Sequence, residues 1–197
     1  RAEILTGAAR VDFLEIIADH YLVDHPVKRD ELALLSEGHI LIPHGLNLNL
    51  GGVDGPDPDY LDRLTTLVNR LNPPWWSEHI AFTRADGREI GHLAPLPFNR
   101  ESLDVLERNI NAVKARTDVP LILENITYTF PMPGSDRDEA AFLSELVERT
   151  GCGLLFDVTN LYVNATNHGF DAESFLDRLP LDRVVQLHFT GGHEDDG

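Results

Sequence analysis

Six short apolar runs in this sequence end, one after another, in residues able to bind metal or move protons. The first ends in Asp19-His20, the second in His44, the third in Glu78-His79 and the fourth in Glu124-Asn125. The fifth ends in Asp157, with Asn160 three residues on; the sixth ends in His188, with His193 and Glu194 close behind. A single histidine at a strand end is commonly a satisfied structural residue. Six successive ends carrying His, Asp or Glu argue for one shared site. Carboxylates and imidazoles gathered in one pocket repel or desolvate each other unless something positive joins them. A metal cluster is the simplest such partner. Imidazole mixed with carboxylate, without thiolate, suits Fe, Mn or Zn better than Ca or Cu(I). Several carboxylates able to bridge allow more than one metal.

The elements that must position these residues follow from hydrophobic periodicity. The apolar runs cover residues 11–17, 39–43, 75–79, 119–124, 153–158 and 184–189. Each is short and rich in Ile, Leu, Val or Phe, the pattern of a strand buried on both faces. Helical stripes lie between them at 59–71, 100–116 and 138–149, with shorter ones at 28–36 and 172–179. Leu61, Leu64, Leu67, Val68 and Leu71 make the first stripe. Asp136 and Asp171 are predicted N-caps and Gly151 a predicted C-cap. Six strands alternating with five helices imply parallel strands joined by right-handed crossovers. An open doubly wound sheet and a (β/α) barrel both fit. Gly51-Gly52 does not open a strand–helix unit, so a dinucleotide fold loses support. In a barrel, all six strand ends share the rim where such folds place their active sites.

Composition narrows the function. The 197 residues suffice for one ordinary domain, and 16 basic against 33 acidic residues give a formal charge of −17. So acidic a surface argues against nucleic-acid and anionic-membrane partners. One cysteine, Cys152, allows no intrachain disulfide and no zinc–thiolate cage, and points to a reducing, cytoplasmic setting. Nothing resembles a signal peptide or a membrane span. His25, His39 and His92 sit in loops or at strand starts, and Trp75-Trp76 reads as barrel packing. Cys152 stands at a strand start, the wrong end for catalysis. No nucleophile elbow is present, which argues against a serine hydrolase. Both ends of the chain read as cuts inside a longer protein.

An ordered series of motifs spans nearly the whole chain. Leu14-Glu15-Ile16-Ile17 is followed by Tyr21, and Pro43-His44-Gly45-Leu46 by Leu48 and Leu50-Gly51. Ser77-Glu78-His79 and Leu123-Glu124-Asn125 come next. The longest runs from Arg149-Thr150-Gly151-Cys152-Gly153 through Leu154-Leu155-Phe156-Asp157-Val158 to Asn160 and Tyr162. Asn167-His168-Gly169-Phe170 and Leu187-His188 with Gly192-His193 complete it. In this series the chain resembles the multinuclear non-haem iron-dependent oxidative enzymes, the TIM-barrel family that includes the methanobactin biosynthesis oxidase.

The resemblance implies a (β/α)8 TIM barrel formed by residues 1–197 as a single domain. About six of eight strands are expected in this chain, the first strand and the last strand and helix being absent. It implies His44, His79, Glu124, Asp157, Asn160 and His188 as iron ligands, with Glu124 bridging. It further implies two or three iron ions of mixed Fe(II)/Fe(III) state, dioxygen, and oxidation of a residue, often cysteine, in a ribosomally made precursor peptide that a partner protein presents. Glu124, His79, Asp19 and His20 are the catalytic candidates. Asp19-His20 stands where the family often has Glu-Asn, as ligands or as substrate contacts. Glu78 and Glu15 are expected to orient ligating imidazoles. Ile126 replaces the family's Pro or Val, and its last Asp-x-His motif is expected just past Gly197. Two other classes remain open: a divalent-metal sugar isomerase or phosphodiesterase on a similar barrel, and a non-enzymatic metal-binding scaffold.

Overall fold

The computed structural model describes residues 10–190. His193 and Glu194 lie outside the described residues. Strand β1 (Phe13–Ile17) leads through a one-turn 3-10 helix (Ala18–Tyr21) to α1 (Pro26–Gly38) and β2 (Ile40–His44). Next come α2 (Pro58–Leu71), β3 (Trp76–His79), a hairpin of β4 (Phe82–Ala85) and β5 (Arg88–Ala94), and α3 (Arg100–Lys114). The rest is β6 (Leu121–Glu124), α4 (Glu139–Thr150), β7 (Gly153–Asp157), α5 (Val158–His168), α6 (Ala172–Leu176) and β8 (Val184–His188).

Six strands form one parallel sheet in the order β1-β2-β3-β6-β7-β8. Each strand lies beside its predecessor in the βαβ series, the order of a barrel wall and not of a doubly wound sheet. The sheet curls far enough for its two outermost strands to touch through inward side chains. Glu15 of β1 accepts hydrogen bonds from Gln186 (2.5 Å) and meets His188 (2.9 Å) of β8. β2, β3, β6 and β7 are buried along most or all of their length, as the apolar runs of β2, β6 and β7 require.

The helices close over the outside of this sheet. Leu61, Leu64, Leu67 and Val68 of α2, Leu103, Leu106, Ile110 and Val113 of α3, and Phe142, Leu143 and Leu146 of α4 are buried. They share one core with Trp76, Leu123 and Phe156 of the sheet. The C-cap glycine, Gly151, adopts φ 68°, as expected. Asp171 caps α6 by accepting from the Ser174 N–H.

The expected N-cap Asp136 is corrected: Asp138 caps α4, its side chain accepting from the Ala141 N–H. An N-cap must stand directly before the first helical residue, here Glu139, and Asp136 instead pairs with Arg137. Besides the 3-10 helices Ala18–Tyr21 and Leu181–Arg183, two larger elements were not anticipated. The β4–β5 hairpin turns at Asp86 and Gly87, both with positive φ. Helix α5 follows β7 without a loop, because Asp157 is both the last strand residue and the helix N-cap.

The loop after His44 is fixed from a helix. Asn109 of α3 is 2 % exposed and donates to the carbonyls of Leu50 (2.7 Å) and Gly52 (2.9 Å). Asn49 in turn accepts from the Thr83 and Arg84 N–H groups. Asn109→Ala takes the side-chain donor from the Leu50 carbonyl and leaves the Gly52 carbonyl with the Gly55 N–H. It is expected to lower unfolding free energy by about 1–3 kcal/mol. Urea titration measures the loss, and hydrogen exchange is expected to quicken first over residues 49–55.

Candidate metal centre

His44, His79, Glu124, Asp157 and His188 occupy the last positions of β2, β3, β6, β7 and β8. Parallel strands all point their C-terminal ends at one rim, and the register sets neighbours side by side. His79 pairs with Glu124, and Asp157 with His188. Two groups result. His44, His79 and Glu124 form one; Glu124, Asp157 and His188 form the other, with candidate ligand atoms within 4.8 Å of one another in each. Glu124 belongs to both.

The imidazoles converge on that carboxylate. His79 Nε2 lies 3.2 Å and His44 Nε2 3.3 Å from Glu124 Oε2; His188 Nδ1 lies 3.0 Å from Oε1. Each ring is held by its other nitrogen: His44 Nδ1 by Ser77 Oγ (2.7 Å), His79 Nδ1 by Glu78 Oε1 (3.3 Å), His188 Nε2 by Glu15 Oε2 (2.9 Å). Glu15 and Glu78 therefore stand where orienting carboxylates were expected. Glu78 is itself fixed by the His79 and Leu48 N–H groups. With Nδ1 donating to Glu78, a neutral His79 presents the lone pair of Nε2 toward Glu124. Glu124 Oε2 is buried and has no hydrogen-bond partner among the described residues. Two imidazole nitrogens around an orphaned carboxylate oxygen leave a place that a cation satisfies. The all-nitrogen-and-oxygen donor set fits Fe, Mn or Zn.

Burial and mutual repulsion set the ring charges. Desolvation, reinforced by His79, pushes the His44 pKa down. Burial acts the same way on His79, but the bond to Glu78 and the charges of Glu78 and Glu124 outweigh it and raise the pKa. His188, between Glu124 and Glu15, is raised to about 10. Burial would raise the Glu15 carboxyl, yet the His188 bond and the neighbouring imidazoles bring it below its ordinary value.

The remaining candidates divide. Asn160 lies beside the second group: its N–H donates to Asp157 Oδ1 (2.9 Å) and its amide to the Asn125 carbonyl (2.8 Å). Asp19 stands apart from both groups. Its carboxylate accepts from the Leu46 N–H (3.1 Å) and the Tyr60 hydroxyl (3.0 Å), so it holds the loop beyond His44. His20 is exposed on the 3-10 helix. His168 bonds the Tyr128 carbonyl, away from the centre. Cys152 is buried just before β7, at the opposite end of that strand from Asp157.

Three residues were given no role from sequence. Ser77 fixes His44. Asn125 makes a two-way bond with the Asp157 backbone (2.8 and 3.1 Å), joining two ligand strands. Gln186 links Trp75 (2.7 Å) to Glu15. The signal for Gln186 was present: it stands two positions before His188 on one strand, hence on the same face.

Gly45 matters for what it lacks. A Cβ there would stand 2.7 Å from Glu78 Oε2. Gly45→Ala must displace the carboxylate that orients His79. It is expected to cost about 1–3 kcal/mol of stability and to weaken metal binding about 10–100-fold. Calorimetric metal titration of the folded variant measures the second effect.

Comparison with known proteins places the chain. The family model described as RiPP precursor modification enzyme MbnB/TglH/ChrH matches residues 1–197. A "UPF0276 protein" of Streptomyces avermitilis is 40 % identical over 207 residues, covering 100 % of this chain and 42 % of the relative. A "UPF0276 protein" of Rhizorhabdus wittichii is 40 % identical over 185 residues, covering 92 % of this chain and 65 % of the relative. The chain thus spans less than two thirds of either relative. Among solved structures, D-psicose 3-epimerase of Clostridium cellulolyticum H10 superposes with a TM-score of 0.60 at 14 % identity. That match covers 95 % of this chain and 65 % of the epimerase. The 3-keto-D-glucoside 4-epimerase of E. coli gives 0.56 at 12 %, covering 90 % and 68 %. At such identities the likeness shows the fold alone, and the fold is a partial (β/α)8 barrel.

Proposed function

The chain belongs to the RiPP precursor modification enzymes of the MbnB/TglH/ChrH family, and from that premise we propose that it oxidises a cysteine of a ribosomally made precursor peptide with iron and dioxygen. The observation that carries this reading is Glu124. One buried carboxylate is shared by two groups of metal-ligating residues, and its Oε2 has no other partner among the described residues. A shared carboxylate is what a multinuclear centre requires. His44, His79 and Glu124 would hold one ion; Glu124, Asp157 and His188, with Asn160 beside them, would hold a second. Iron bound there supplies the affinity for dioxygen and for a thiolate, and the electron transfer that protein side chains lack.

The chain's own residues do the rest. Ser77, Glu78 and Glu15 keep three imidazoles in fixed orientation. Asp19 and Tyr60 hold the loop that follows His44, and with it one wall of the approach. His20, exposed on the 3-10 helix after β1, would meet substrate. A partner protein presents the peptide, and the reaction runs in the reducing cytoplasm, where a substrate thiol stays available.

The test is anaerobic loading of the full chain with Fe(II), then exposure to oxygen with a cysteine-containing peptide encoded beside the gene. Oxygen consumption with a change of peptide mass, lost in His79→Ala, supports the reading. Turnover with Mn(II) or Zn(II) under anaerobic conditions, or no mass change with any neighbouring precursor, overturns it.

A further inference from the structure

A second cavity lies outside both ligand groups. It has a volume of about 230 Å3 and opens among the 125–138 loop, the end of α5, α6 and the start of α4. Phe98, Tyr128, His168, Phe170 and Phe175 supply its aromatic walls, and the charged groups of its lining are Glu139, Asp138, Arg137 and Arg178. The rings pack in two sets. Tyr128 stacks on His168 at 4.5 Å and meets Phe98 edge-on at 5.8 Å; Phe170 stacks on Phe175 at 5.8 Å.

Glu139 is out of keeping with such walls. It is 6 % exposed, yet no Lys, Arg or His among the described residues pairs with it. The Tyr128 hydroxyl donates to its Oε2 at a long 3.3 Å, and the Asn164 side chain is its second hydrogen-bond partner. The two guanidiniums of the lining are committed to other carboxylates. Arg137 pairs with Asp136 and Glu145, and Arg178 with Asp138. Burial without a cation pushes the Glu139 carboxyl up to about 8. A buried carboxylate lacking a positive partner costs stability. Aromatic faces around it attract organic cations through their quadrupoles. An aromatic cage ending in a carboxylate is complementary to one ligand chemistry.

We propose that this cavity binds an organic cation, an ammonium or guanidinium group, between the rings of Tyr128, Phe170 and Phe175 and the carboxylate of Glu139. The cation comes either from a basic side chain of a peptide or from a free amine. The site does not depend on the metal centre, since none of its residues belongs to either ligand group.

The experiment is amide NMR of the full chain, titrated with butylammonium, butylguanidinium and neutral butanol. A blocked pentapeptide with a central lysine is the fourth probe. The cations are expected to shift the Tyr128, Glu139 and Phe170 amides saturably, and butanol is not. Glu139→Gln should weaken the cations about tenfold or more. Phe170→Leu should weaken them about two- to fivefold while leaving the carboxylate in place. It serves as the variant if Glu139→Gln does not fold. Tighter binding of the pentapeptide than of butylammonium assigns a peptide side chain; weaker binding assigns a free amine. Equal binding of butanol, unchanged affinity in both variants, or no saturable shift with any probe overturns the proposal.

Discussion

If each ligand group holds one ion, as proposed, Glu124→Ala is expected to empty both positions at once, whereas His188→Ala or His44→Ala empties one. The asymmetry follows from geometry. Glu124 Oε2 faces His44 and His79, and Oε1 faces His188. Every other ligand candidate belongs to a single group. Removing a histidine takes one donor from one ion. Removing Glu124 takes a donor from each, and also the anionic charge that offsets the cations. Bound metal content after anaerobic loading and desalting is therefore expected to fall to about half in His188→Ala and to near zero in Glu124→Ala. Thermal unfolding reads the same effect. Metal that binds only the folded state raises the midpoint, so the Fe(II)-dependent increase should vanish in Glu124→Ala and persist in part in His188→Ala. Two metals retained in Glu124→Ala would refute the shared-carboxylate centre. Equal losses in all three variants would mean that the ions bind as one inseparable cluster.

Much of this centre was legible in sequence because barrel strands bury both faces. Their apolar runs are then unbroken, and a polar residue such as His79 or Asp157 at the end stands out. The partners of those residues were harder to see. Ser77 and Gln186 have ordinary side chains, and their roles come from register: His44 pairs with Ser77 across β2 and β3, which no single strand announces. Asp19 stands differently. It has the right type and lies at a strand end, but the chain turns into a 3-10 helix there and spends the carboxylate on Leu46 and Tyr60. Helix α5 was hidden by composition. Val158, Thr159, Asn160, Tyr162 and Asn164 are middling helix formers, and neighbouring structure decides their state. The hairpin was signalled by Asp86-Gly87, a strong two-residue turn pair, between runs too polar to stand out as strands.

Glu139 gives the second large effect, on stability against pH. In the folded chain burial raises its pKa from the ordinary 4.5 to about 8, the Tyr128 bond offsetting only part. In the unfolded chain it ionises near 4.5. Between those values the folded state keeps a proton that the unfolded state has released, so stability falls as pH rises. The contribution is intact below the unfolded pKa and is lost as pH climbs through the folded one. At about 1.4 kcal/mol per pKa unit, the loss approaches roughly 3–5 kcal/mol by pH 8. Glutamine fills the same space and cannot ionise. The difference in unfolding free energy between Glu139→Gln and wild type should thus be small near pH 5 and favour the variant by a few kcal/mol near pH 8. Urea unfolding at intervals across that range measures it, and using the difference cancels every other titrating group. A constant difference would show that Glu139 ionises in the fold at its ordinary value. Butylammonium adds a second lever. A cation in the cavity favours the ionised carboxylate and lowers its folded pKa. At saturating ammonium the wild-type slope should flatten while that of Glu139→Gln stays unchanged, tying the stability cost of the buried acid to the ligand that would relieve it.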